Sequence, residues 1–107
     1  MLRAGIDTRV LVLEMGARGV GHVAELCAIA APDIGVVLNV GTAHVGAFGS
    51  VDAIVTAKGE LVEALSAKGV AVLNADDHLV AAMAERTLAT VVRFGRAADA
   101  DVRADDV

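Results

Sequence analysis

At 107 residues the chain is long enough for one domain or part of one, and its 56% hydrophobic content can fill a core of that size. Two Phe are its only aromatic residues and its formal net charge is −5, which argues against base stacking and phosphate-backbone binding and so against a nucleic-acid partner. A single cysteine, Cys27, excludes an internal disulfide and fits a reducing compartment.

Strand and helix signals alternate along the chain. Residues 9–13, a run of Val and Leu after Arg9, are predicted as a buried strand. Gly16, Gly19 and Gly21 then interrupt it. Residues 22–30 carry helix formers, with Val23, Leu26, Cys27 and Ala30 on one face. Pro32 stops that helix and holds Ala31 away from helical angles. Residues 34–38 form a second all-apolar strand, followed by a Gly-rich loop over 39–49. Ser50 is an N-cap, and residues 51–65 show helical spacing of Val51, Ile54, Val55, Leu61, Val62 and Leu65, with Lys58 inside the stripe. Residues 70–73 give a third strand, 74–77 a turn, 79–86 a short helix, 90–94 a fourth strand and 100–104 a fifth. This order implies an α/β fold with a mostly parallel sheet and flanking helices. There is no internal repeat, linker or low-complexity tract. No run approaches the roughly 18 apolar residues of a membrane span. The apolar stretch 10–13 is too short for a signal peptide core and meets Glu14 at once. The expectation is a cytoplasmic, soluble protein without a membrane partner.

Parallel α/β sheets bind ligands at the carboxyl ends of their strands. Those ends carry Glu14, Asn39 and Asn74, expected at one edge. Each has a bland reading, since polar residues commonly begin loops; three in succession favour a site. Lys58 either snorkels its ammonium to water or aims it at this edge. His44 is either an exposed loop histidine or, with Glu14, a ligand for a divalent cation near phosphate oxygens. Asp76 and Asp77 read as a solvated turn more readily than as a metal site. Gly16, Gly19 and Gly21 match neither a dinucleotide glycine motif nor a phosphate loop, and no Gly-Lys-Ser/Thr occurs.

The stretches Leu13-Glu-Met-Gly-Ala-Arg-Gly19 and Asn39-Val-Gly-Thr-Ala-His44 resemble the central domain of the Mur ligases. Phe48-Gly-Ser50, Ala57-Lys-Gly-Glu60, Leu73-Asn-Ala-Asp-Asp77 and Phe94-Gly95 continue the resemblance in order over residues 8–106. It is strongest to the members that add D-Ala-D-Ala. The resemblance implies a P-loop-NTPase-like α/β domain and an ATP-dependent amide ligase acting on a UDP-MurNAc-peptide and D-Ala-D-Ala in peptidoglycan synthesis. It implies Mg²⁺ held by Glu14 and His44. It also implies that Lys58, which carries a carbamate in several members, helps hold the metal. Lys58 and His44 would then be the catalytic residues, with Asn39, Thr42 and Arg18 facing substrate.

The family pattern places its phosphate loop upstream of these motifs, and N- and C-terminal domains on either side. A further departure is His78, where proline is usual. Residues 1–107 are therefore expected to be a partial central domain, truncated at both ends and inactive alone. The alternative is a non-catalytic α/β module that binds a protein partner or itself through an exposed sheet edge. An unrelated small Rossmann-like protein is a weaker reading, given the missing glycine motif.

Overall fold

The computed structural model describes residues 10–16, 19–41 and 49–103. In chain order these form α1 (His22–Ala30), β1 (Ile34–Val37), α2 (Val51–Ala64), β2 (Val70–Asn74), α3 (His78–Ala81) running into a 3-10 turn (Ala82–Arg86), β3 (Thr90–Gly95) and β4 (Val102–Arg103). The four strands make one sheet in the order β1-β2-β3-β4, and every pair is parallel. Val36 lies opposite Val72, and Val72 opposite Val92, so paired residues share a face across the sheet.

Parallel neighbours need crossovers. α2 supplies the one from β1 to β2, and α3 with its 3-10 turn the one from β2 to β3. The two faces of the sheet differ. Val37, Ala71 and Leu73 are buried with Ile54, Val62, Leu65, Val80 and Met83 in one core. The opposite face leaves Ile34, Val36 and Leu38 exposed. α1 packs on α2 rather than on the sheet, burying Val23 and Cys27. α2 is thus covered on two sides, which explains how a charged residue, Glu60, becomes buried within it.

Helix ends follow the local chemistry. The Ser50 hydroxyl accepts from the Ala53 N–H at 3.1 Å, as its N-cap reading requires. Ala31 ends α1 in the left-handed region, φ 46°, with its N–H still on the Cys27 carbonyl at 2.8 Å. The predicted helix over 79–86 divides into α3 and a tighter 3-10 segment. In α2, Gly59 leaves room for the guanidinium of Arg86, which a Cβ there would strike. That guanidinium donates to the carbonyls of Val55 and Thr56 and to Glu63.

The strand expected over 9–13 is a correction. Residues 10–13 join no ladder among the described residues, and Val10 and Val12 are 77% and 78% exposed. An apolar β-branched run favours a half-buried sheet surface but does not choose the edge that will pair with it. No described strand pairs with the outer edge of β1.

Candidate functional site

The carboxyl ends of β1, β2 and β3 lie at one edge of the sheet, and side chains from three elements tie them together. The segment leaving β1 is held residue by residue. The Asn74 side-chain amide, at the end of β2, donates to the Leu38 carbonyl at 2.8 Å. Lys58 Nζ, from α2, donates to the carbonyls of Asn39 and Val40, each at 3.0 Å. The Val40 N–H donates to Asp77 Oδ2 at 3.1 Å. Asn39 and Asn74 are therefore brought together as expected, and Lys58 reaches the same place. Its ammonium engages backbone oxygens, so its half-buried place in the apolar stripe of α2 has a partner.

Asp76 and Asp77 are the part the sequence reading missed. Asp77 uses its second oxygen, Oδ1, to accept from the N–H groups of Leu79 and Val80, capping α3. Burial pushes its carboxyl up, but the N–H groups of Val40, Val80 and Leu79 and the nearby His78 outweigh burial and leave it below the usual carboxylate value. Asp76 accepts from the N–H groups of Arg96 and Ala97, at 2.8 Å each, holding the exit of β3. Gly95 permits that approach: its φ is 141°, and a Cβ there would lie 2.8 Å from the Asp76 carboxyl carbon. Neither aspartate is a freely solvated turn residue. The cap at Asp77 was legible as an Asp preceding a helix; the bond to Val40, 37 residues away in sequence, was not. A cleft of about 300 Å³ opens beside them, lined by Val40, Gly41, Val51, Asp76, His78 and Leu79 among others.

The other anchored segment is the start of α1. Gly21 precedes that helix and has no side chain to cap it. Glu60 reaches across instead: the Gly21 N–H donates to Oε2 at 2.6 Å and the Ala24 N–H to Oε1 at 3.1 Å. A carboxylate at a helix N-terminus satisfies orphan donors and meets the positive end of the dipole. An uncapped glycine start was the available sign that an acceptor must come from elsewhere. Cys27 on the same helix is pushed up by burial and then by the Glu60 charge.

Glu14 makes none of the hydrogen bonds that tie the strand-end cluster together. It is exposed in a groove with Leu13 and Met15 against Leu26, Ile29 and Ala30 of α1, and its carboxylate takes no hydrogen bond among the described residues. The expectation that it ends a strand beside Asn39 is corrected with the strand itself. Arg18, Thr42 and His44 lie outside the described residues. No group of three or more His, Cys, Asp or Glu able to hold a metal occurs among the described residues. No described helix is long and apolar enough to cross a membrane.

A parallel α/β sheet with polar groups gathered at its strand exits has the arrangement in which such sheets place their ligands. The model of the Mur ligase middle domain matches residues 1–107, and the chain belongs to that family. Over 107 residues it is 54% identical to the UDP-N-acetylmuramoyl-tripeptide--D-alanyl-D-alanine ligase of Mycobacterium tuberculosis, covering 100% of this chain and 21% of that protein. The ligase of the same name from Mycobacterium leprae is 56% identical over 96 residues, covering 90% of this chain and 19% of that protein. A crystal structure of MurF from Acinetobacter baumannii superposes with a TM-score of 0.76 at 32% identity, over 88% of this chain and 20% of that chain. The chain thus spans about a fifth of the length of the relatives it matches.

Proposed function

We propose that these residues form the metal-facing part of an ATP-dependent ligase that joins D-Ala-D-Ala to a UDP-MurNAc-tripeptide in peptidoglycan synthesis. The observation that carries this reading is 54% identity to such a ligase across all 107 residues. The reaction transfers the γ-phosphoryl group of ATP to the terminal carboxylate of the peptide. The amine of D-Ala-D-Ala then attacks the acyl phosphate, forming the amide and releasing phosphate.

The donor chemistry fits a hard cation. Glu14 offers an exposed carboxylate with no competing hydrogen bond among the described residues, and oxygen ligands suit Mg²⁺. Glu14 and His44 would hold the metal, with Lys58 beside them. Bound there, Mg²⁺ neutralises charge that develops on phosphate oxygens. Asn39, Thr42 and Arg18 face substrate in this reading. Lys58 fixes the backbone that leads from β1 toward Thr42 and His44. A carbamate on Lys58, formed by adding carbon dioxide with loss of two protons from the ammonium, would turn a cation into a metal-binding anion. Its nitrogen would keep one N–H, and so one of the two carbonyl bonds that Nζ now makes.

No Gly-Lys-Ser/Thr occurs in the chain, so the grip on the triphosphate must come from elsewhere. The chain alone should show no turnover, and calorimetry should find Mg-ATP binding weaker than micromolar. The direct test is a graft: these 107 residues replace their counterpart in the M. tuberculosis ligase. Amide formation dependent on ATP, Mg²⁺ and D-Ala-D-Ala supports the reading. A folded graft without turnover would reject it.

A second reading, self-association through the sheet, is favoured by the exposed Ile34, Val36 and Leu38 on β1 and its exit. Light scattering across a concentration series separates it from a monomer.

A further inference from the structure

The backbone at the exit of β1 is held at three successive residues by the side chains of Asn74, Lys58 and Asp77. We propose that Asp77 is a positioning residue: its carboxylate sets where the segment from Leu38 to Gly41 lies, and with it Asn39. This rests on the ligase reading for its catalytic consequence, but not for its geometry.

The two carboxylate oxygens of Asp77 have separate partners. Oδ1 serves α3 through the N–H groups of Leu79 and Val80, while Oδ2 serves the Val40 N–H. One carboxylate thereby fixes two walls of the same cleft, lined by Val40 and Gly41 on one side and His78 and Leu79 on the other. Asn74 holds the Leu38 carbonyl and Lys58 holds those of Asn39 and Val40, so both carbonyl and amide of Val40 are engaged. A strand-exit segment with so many fixed backbone groups has little freedom left. Asn39 lies within the held segment and shares that placement, and misplacement by about 1 Å can cost a reaction around a hundredfold. The low-lying carboxyl of Asp77 agrees with a charge held by N–H donors.

The two duties can be separated by substitution. Asp77→Ser keeps a good helix cap for α3 and removes the oxygen that holds Val40. Asp77→Ala removes both. Hydrogen exchange at the Val40 amide, measured on the 107-residue chain and on the graft, reports the clamp without any turnover. Asp77→Ser is expected to speed that exchange at least tenfold while the Ala81 amide of α3 keeps its protection. In the graft, the same variant is expected to lower kcat about tenfold or more with the KM for D-Ala-D-Ala within about twofold. Asp77→Ala should in addition expose the α3 amides. Unchanged Val40 exchange in Asp77→Ser would overturn the clamp. Faster exchange with unchanged kcat would overturn the positioning role. An unsubstituted graft that folds but is inactive removes the ligase reading and the catalytic role with it, while the exchange data still decide the clamp.

Discussion

Two segments carry the candidate site residues, and the protein treats them differently. The exit of β1 is fixed by Asn74, Lys58 and Asp77, all acting on backbone groups. The segment bearing Glu14 joins no ladder among the described residues, and its firm point is downstream, where Glu60 caps the start of α1. Both anchors include neighbours in the tetrapeptide Ala57-Lys-Gly-Glu60. Lys58 points one way and Glu60 another, and Gly59 between them admits Arg86. α2 is therefore the hub that sets the two segments relative to each other, and a hub built of hydrogen bonds to backbone can be taken apart one bond at a time.

The largest effect on stability is expected at Glu60. Glu60→Ala leaves the Gly21 and Ala24 N–H groups without their charged acceptor in a partly buried site, a loss of about 2–3 kcal/mol in chemical denaturation. Because the damage is local, α1 amides should lose hydrogen-exchange protection while β2 amides keep theirs. Cys27, buried on α1, should then react faster with a thiol reagent. Uniform loss of protection through β2 would show that the two segments are not independently anchored.

A smaller effect is expected at Asp77 and is dependent on pH. Its folded carboxyl lies below the ordinary value of 3.8, so it contributes stability that is present above that value and is lost as pH falls through the folded pKa. Denaturation midpoints should therefore fall more steeply below about pH 4 in the native chain than in Asp77→Asn. Equal slopes would remove the charge from the account of the β1 exit. The smallest effect on stability is expected at Val36, which lies on the open face of the sheet. Val36→Lys should change unfolding free energy by no more than about 0.5 kcal/mol. It should also reduce any concentration-dependent mass seen by light scattering. Association unaffected by this charge would move the contact elsewhere.

Much of the framework was legible because it is local. The β-branched runs give β1, β2 and β3, Ser50 caps α2, and Pro32 follows the end of α1. The strand over 9–13 was not legible as absent. Its composition is that of a strand, but pairing depends on which edge the fold offers, and residue order does not carry that. The motifs were visible as motifs, while the bonds that give them meaning span long separations. Asp77 to Val40, Asn74 to Leu38 and Glu60 to Gly21 each join residues 36 or more apart. Lys58 stood out because a cation in an apolar stripe demands a partner. Glu60 did not, because the sequence gives no sign that α1 covers that side of α2.

Turnover of the grafted ligase with Lys58 replaced by alanine decides whether this lysine serves the reaction. The predicted result is a folded enzyme whose kcat falls by about a hundredfold or more, since Lys58 holds the β1 exit and, in the proposed function, serves the metal. Turnover equal to that of the unsubstituted graft would leave Lys58 as a lysine that merely satisfies two carbonyl groups.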